Sequence, residues 1–226
     1  MDELKTLGDL IKTKNDIETQ ISQIIGRPGL QGHIGEFIAG KIFDLKLHED
    51  ATKRGNDGVF RSGPLAGKNV NVKLYGKRDN VLDINLTDPA EYYLVLTGPK
   101  SHIGSSRGST RPLVINSIFL FESGQLISEL KKRKVKVGIA TSVTQEQWNN
   151  AEIFPNQRNN LLIVTEKQKE LLGYFPKGKY KKKTLSNQPF FTTYLHTIKR
   201  SFFPSFPANH ENNPAANKAG NTPDGK

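Results

Sequence analysis

A mixed α/β (α+β) fold built on a central mixed sheet is predicted for this 226-residue chain by three observations. Apolar residues recur at three- and four-residue steps in two N-terminal segments. Short alternating or continuous apolar runs, separated by turn residues, follow them. One more helical segment interrupts the later runs, and helix, three or four strands, then helix and strand is an order that layers helices on a sheet.

The first helix spans Glu3 to Ile25, where Leu4, Leu7, Leu10, Ile11, Ile17, Ile21, Ile24 and Ile25 form one apolar stripe and Asp2 is a fitting cap. Gly26-Arg27-Pro28-Gly29 breaks it. The second helix runs from about Leu30 to Phe43, with Ile34, Ile38 and Ile42 on one face and Glu36, Ala39, Gly40 and Phe43 on another. The small residues beside Glu36 let this helix lie close to a sheet, which puts a carboxylate at the seam. Strands are expected over Asp57–Arg61 and Val70–Leu74, joined by SGPLAGK in a hairpin-like connection. Tyr92–Leu96 is apolar throughout and reads as a buried strand. A polar loop, GPKSHIGSSRGSTRP, separates it from strands at Val114–Phe121 and Val135–Thr141, with a short helix at Ser123–Lys132 between those two. No internal repeat is visible.

Charge divides the chain. The net charge is +11, and residues 157–200 hold ten basic against two acidic side chains. We read an N-terminal helix over 1–29, a core over 30–156, a basic aromatic arm over 157–200 and a disordered tail over 201–226. The tail is rich in Asn, Pro, Ala and Gly and has little to bury. The arm mixes Lys179, Lys181, Lys182 and Lys183 with Tyr174, Phe175, Tyr180, Phe190, Phe191 and Tyr194. Lysines neutralise phosphates and rings stack on bases, so this mixture suits a nucleic-acid partner; the same rings would equally dock the arm on the body.

Several classes are excluded or made unattractive. The chain has no cysteine, which removes disulfides, a thiol nucleophile and Cys-ligated metals, and favours a reducing, cytoplasmic setting. No signal peptide and no membrane span is expected, so no membrane partner is. GPLAGKN has one residue too few between its glycines for a phosphate loop, and Asn69 stands where a Ser or Thr is needed. GSSRG lies in a polar loop rather than at a strand-to-helix elbow. His33, His48, His102, His196 and His210 show no paired ligand spacing.

One constellation remains. Glu36 lies on a helix, Asp57 opens a strand after a Gly-Asn turn, and Asn71 and Lys73 lie two apart on the next strand and so share a face. Glu36 and Asp57 are hard oxygen ligands suited to Mg²⁺ (Mn²⁺ being a natural substitute), with Asn71 able to add an amide oxygen. Such an ion polarises a phosphodiester and acidifies a bound water, while Lys73 holds that water and offsets developing charge. Glu36 and Asp57 supply the charge to balance one tightly held ion rather than two.

The order helix-Glu36, GNDG with Asp57, then strand Asn71-Val72-Lys73 resembles the PD-(D/E)XK nuclease superfamily. The stretch GHIGEFIAGKIFDLKLHEDATKRGNDGVFRSGPLAGKNVNVKLYGKRD also resembles a bacterial group within it, the likeness covering about residues 30–145. The resemblance implies a restriction-endonuclease-like sheet flanked by helices, with Glu36 as the first-helix acid, Asp57 as the motif aspartate and Lys73 as the motif lysine. Asn71 departs from the usual acid, although an amide is tolerated at that position in part of the superfamily. The implied function is Mg²⁺-dependent hydrolysis of DNA phosphodiesters, as in a restriction or defence endonuclease, and a homodimer is implied too. The alternatives are a non-catalytic nucleic-acid-binding protein that keeps the fold and an unrelated protein whose arm binds RNA. Lys68, Lys77 and Arg78 flank the motif strand as candidate phosphate contacts. The loop from Lys100 through Arg107 to Arg111 is either a segment that closes on DNA or an ordinary connection.

Overall fold

Apolar spacing at helical steps produces the first two helices, α1 (Glu3–Ile25) and α2 (Gln31–Phe43). The structure is a computed structural model and describes residues 3–49, 55–101 and 112–178. Asp2, the rest of the loop to Arg111, Lys179 to Lys183 and the tail therefore lie outside the described residues. α2 ends where Asp44 takes a left-handed conformation (φ 53°) and its N–H donates to the Gly40 carbonyl.

The sheet follows. β1 (Leu45–Leu47), β2 (Gly58–Phe60) and β3 (Asn69–Tyr75) pair in antiparallel fashion. β3 then pairs in parallel with β5 (Tyr92–Thr97), after the short β4 (Val81–Leu82). β6 (Ser117–Glu122) leads directly into α3 (Ser123–Lys132). After β7 (Thr141–Ser142), α4 (Gln145–Ala151) and β8 (Glu152–Phe154), the described chain closes with α5 (Glu166–Leu172). The result is a mixed α/β architecture with a six-stranded mixed sheet in the order β1-β2-β3-β5-β6-β8, a separate β4-β7 pair and, among the described residues, five helices.

Strand alternation sorts side chains to two faces. Val70, Val72 and Leu74 of β3 join Leu94, Leu96, Ile118 and Leu120 beneath Ile38, Ala39 and Ile42 of α2. Tyr93, Val95, Phe119 and Phe121 point the other way, under Leu126 and Leu130 of α3 and Trp148 of α4. Trp148 meets Phe119 and Phe121 edge-on at 4.7 and 5.0 Å. Helices thus cover both faces, and α2 is the one that brings an acidic side chain to the sheet.

Residues 135–141 are not the strand that alternation of Val135, Val137 and Ile139 suggests. Gly138 and Ala140 have φ of 156° and 53°, and Ile139 is 94% exposed, so the run is a loop. Only Thr141 and Ser142 pair, and they pair with β4. Residues 157–178, read from the sequence as the start of a basic arm, contribute Leu162, Val164 and Leu172 to the core under α2. Phe175 packs there also, whereas Tyr174 is exposed.

Candidate active site

The site forms where β2 leaves β3. Pairing of these strands stops at Gly58↔Val70, so the later half of β3 has an edge with no strand beside it among the described residues. Unpaired backbone groups at such an edge need partners. Side chains supply them. Asp57 Oδ2 accepts from the Val72 N–H at 2.6 Å, and Gln31 Nε2 donates to the Leu74 carbonyl at 2.6 Å. The opening therefore fixes a carboxylate from the turn before β2 and an amide from α2 against the same strand.

Register does the rest. Val59 faces Asn69 and Gly58 faces Val70, and the Asp57 N–H donates to the Val70 carbonyl at 2.9 Å, which holds Asp57 against the strand where Asn71 and Lys73 share a face. The turn itself is held by the His48 N–H donating to the Asp57 carbonyl at 3.0 Å, with the His48 ring bonded to Asn56 Oδ1 at 2.5 Å. Gly55 is required here: its φ is 97°, and a Cβ would stand 2.2 Å from the Asp88 carbonyl oxygen.

Glu36 reaches the opening from α2. Its helix is pressed onto β3 at Gly35, where a Cβ would lie 2.7 Å from Leu74 Cβ. The close approach expected from small residues beside Glu36 is thus present, with Gly35 as the contact residue. The Glu36 side chain is only 16% exposed, and its Oε2 pairs with Arg27 Nη1 at 2.5 Å.

Asp57 feels the charges around it. Burial pushes its carboxyl above the ordinary value of 3.8; the Val72 hydrogen bond opposes that, the Glu36 charge adds to it, and Lys73 and then Arg27 pull it back. One acid and two cations thus act on this carboxylate. The Lys73 side chain makes no hydrogen bond or ion pair among the described residues, and it lines a cavity of about 350 Å³ with Asp83, Asn85, Leu86, Gly138 and Ile139.

Asn71 Nδ2 donates to the Gly55 carbonyl at 3.3 Å, which fixes the amide orientation, because a flipped amide would set oxygen against oxygen. Its Oδ1 is buried and has no partner. A buried acceptor left unpaired is costly, on the order of 1–3 kcal/mol. Among the described residues no three His, Cys, Asp or Glu side chains converge on one point. The oxygens on offer are the Asp57 carboxylate and the orphaned Asn71 amide oxygen, with Glu36 coming from α2, which covers the sheet face of Val70, Val72 and Leu74; by composition such donors suit a hard cation retaining several waters.

The other predicted contacts are placed differently. Lys68 pairs with Glu91 at 2.7 Å on the surface, and Lys77 pairs with Asp79 at 2.6 Å in a half-buried site. Arg78 lays its guanidinium 5.2 Å above the Phe119 ring, and burial lowers its pKa. Lys77 and Arg78 are thus engaged within the protein. Lys100 is exposed at the end of the strand that runs out of β5. Arg107, Lys179, Lys181, Lys182 and Lys183 lie outside the described residues.

Arg27 is the residue that sequence reasoning missed. It stands in a Gly-Arg-Pro-Gly turn that reads only as a helix breaker, yet that turn is what points it at Glu36. No family model matches the chain, and no curated protein matches it.

Proposed function

We propose that this chain is a Mg²⁺-dependent nuclease of the restriction-endonuclease-like fold that hydrolyses DNA phosphodiester bonds. The observation that carries the reading is the position of Asp57 at the opening between β2 and β3, bonded to the Val72 N–H and within electrostatic reach of both Glu36 and Lys73, beside the unpartnered Asn71 Oδ1. Glu36, Asp57 and Asn71 would hold one Mg²⁺ or Mn²⁺; when bound, such an ion polarises the phosphodiester and makes a coordinated water acidic. Lys73, whose side chain has no competing partner among the described residues, orients the attacking water and offsets the charge that develops on the phosphate. Asp57, kept partly desolvated, must be ionised to act as a ligand, which ties activity to pH.

A second reading has one observation in its favour. Arg27 already neutralises Glu36, and Asn71 adds no charge, so the site is balanced without a divalent ion. That arrangement suits a DNA-binding protein that keeps the fold without the chemistry. Supercoiled plasmid incubated with the protein and Mg²⁺ separates the two. Nicked or linear product that EDTA suppresses, and that Asp57→Ala abolishes, supports the nuclease. Binding with no cutting in either Mg²⁺ or Mn²⁺ supports the second reading.

A further inference from the structure

No side chain of α1 is buried, although Leu4, Leu7, Leu10, Ile11, Ile17 and Ile24 lie along it between 42% and 77% exposed. Leu7, Leu10, Ile17, Ile21 and Ile24 follow a three-four alternation, with Lys14 at its one polar position. That is the seam spacing of paired helices. Among the described residues, the returning chain passes the far end of the helix, with Gly29 close to Glu18 and Ile21. A helix that carries Gly8 and several β-branched residues is marginal in water while its apolar stripe stays wet.

The character of the helix selects what covers it. Its polar positions hold Glu3, Asp9, Asp16 and Glu18 against Lys5, Lys12 and Lys14, nearly neutral in a chain of net charge +11. A basic polar face, as an anionic lipid surface or a nucleic acid would need, is missing. The same near-neutrality lets two strongly basic chains meet here without repulsion. Lys14 is salt-bridged to Glu18 at 2.6 Å, so its charge is compensated within its own helix. The strip extends about 34 Å and has an apolar area on the order of several hundred Å². Two strips face to face reach the order of 1,000 Å² that an interface between folded proteins requires.

We infer that a second copy of this chain covers α1, the two helices packing strip against strip in a two-fold symmetric dimer. This inference is independent of the proposed chemistry. Sedimentation equilibrium of the full chain is its test. The expected mass is twice 25.2 kDa at tens of micromolar, falling towards 25.2 kDa on dilution. Leu7→Glu with Ile17→Glu is expected to give the single-chain mass at every concentration. The near-ultraviolet signal of the only tryptophan, Trp148, which is buried in the body, should be unchanged and so show that the fold survives. Because the chain has no cysteine, Lys14→Cys provides a second readout, and a short bismaleimide should join two such chains. A wild-type chain that stays single at 100 micromolar overturns the inference. A dimer untouched by the double substitution, or a thiol that never cross-links, overturns it equally.

Discussion

Arg27 Nη1 lies 2.5 Å from Glu36 Oε2, which makes the arginine the resident counter-ion of an acid proposed to hold a metal. A divalent ion and Arg27 compete for the same carboxylate. Replacing Arg27 with Gln is expected to tighten Mn²⁺ binding by roughly fivefold, about 1 kcal/mol, the upper range for a partly exposed ion pair. Isothermal titration calorimetry reads this directly. Unchanged or weaker binding would show that Arg27 supports the site instead of competing for it.

Asp57 sets a pH dependence. Its carboxyl is raised by burial, so the folded chain holds the proton more tightly than the unfolded chain. Its contribution to stability is therefore greatest below the ordinary value of 3.8 and is lost as pH rises through the raised folded value. Asp57→Asn can still accept from the Val72 N–H and carries no charge. It is expected to raise the melting temperature of the metal-free protein at neutral pH, by the ~0.5–2 kcal/mol typical of relieving a functional site. The gain should vanish below pH 3.8, as a melting series across pH will test.

Lys73→Ala is expected to lower the cutting rate by about 10²–10³-fold, the scale of removing one group aimed at developing charge. DNA affinity should change little, because one lysine is a small share of the backbone contacts. Single-turnover cleavage and a binding titration on the same duplex separate the two quantities. Equal losses in both would make Lys73 a binding residue.

Gly35→Ala forces a methyl to within 2.7 Å of Leu74 Cβ. Overpacking of this kind costs ~1–3 kcal/mol, and relief requires α2 to move away from β3, taking Glu36 with it. Cutting and stability should both fall. Gly8→Ala is the matched control, since nothing lies within 4 Å of the added carbon, and it is expected to stabilise α1 slightly.

The sequence made α1, α2 and α3 legible because their apolar residues keep a helical period, and it made Asn71 and Lys73 legible because strand parity puts them on one face. Other parts carried weaker signals. β1 has three residues and β4 and β7 two each, too short for alternation to register. α4 and α5 have seven residues apiece, yet each opens with a capping box, Thr144 with Gln147 and Thr165 with Gln168, which could have revealed them. Residues 135–141 misled because alternation is necessary for a half-buried strand and insufficient when a turn with positive φ interrupts it. Arg27 could not be found by pattern, since its role depends on a turn that folds back on α2.

The most direct measurement is an anomalous difference map from crystals soaked in Mn²⁺. One peak is expected at about 2.0–2.2 Å from carboxylate oxygens of Asp57 and Glu36 and from Asn71 Oδ1, with Arg27 withdrawn from Glu36. Crystals that take up Mn²⁺ elsewhere, while the Arg27–Glu36 pair stays intact and this opening stays empty, would contradict the proposed chemistry.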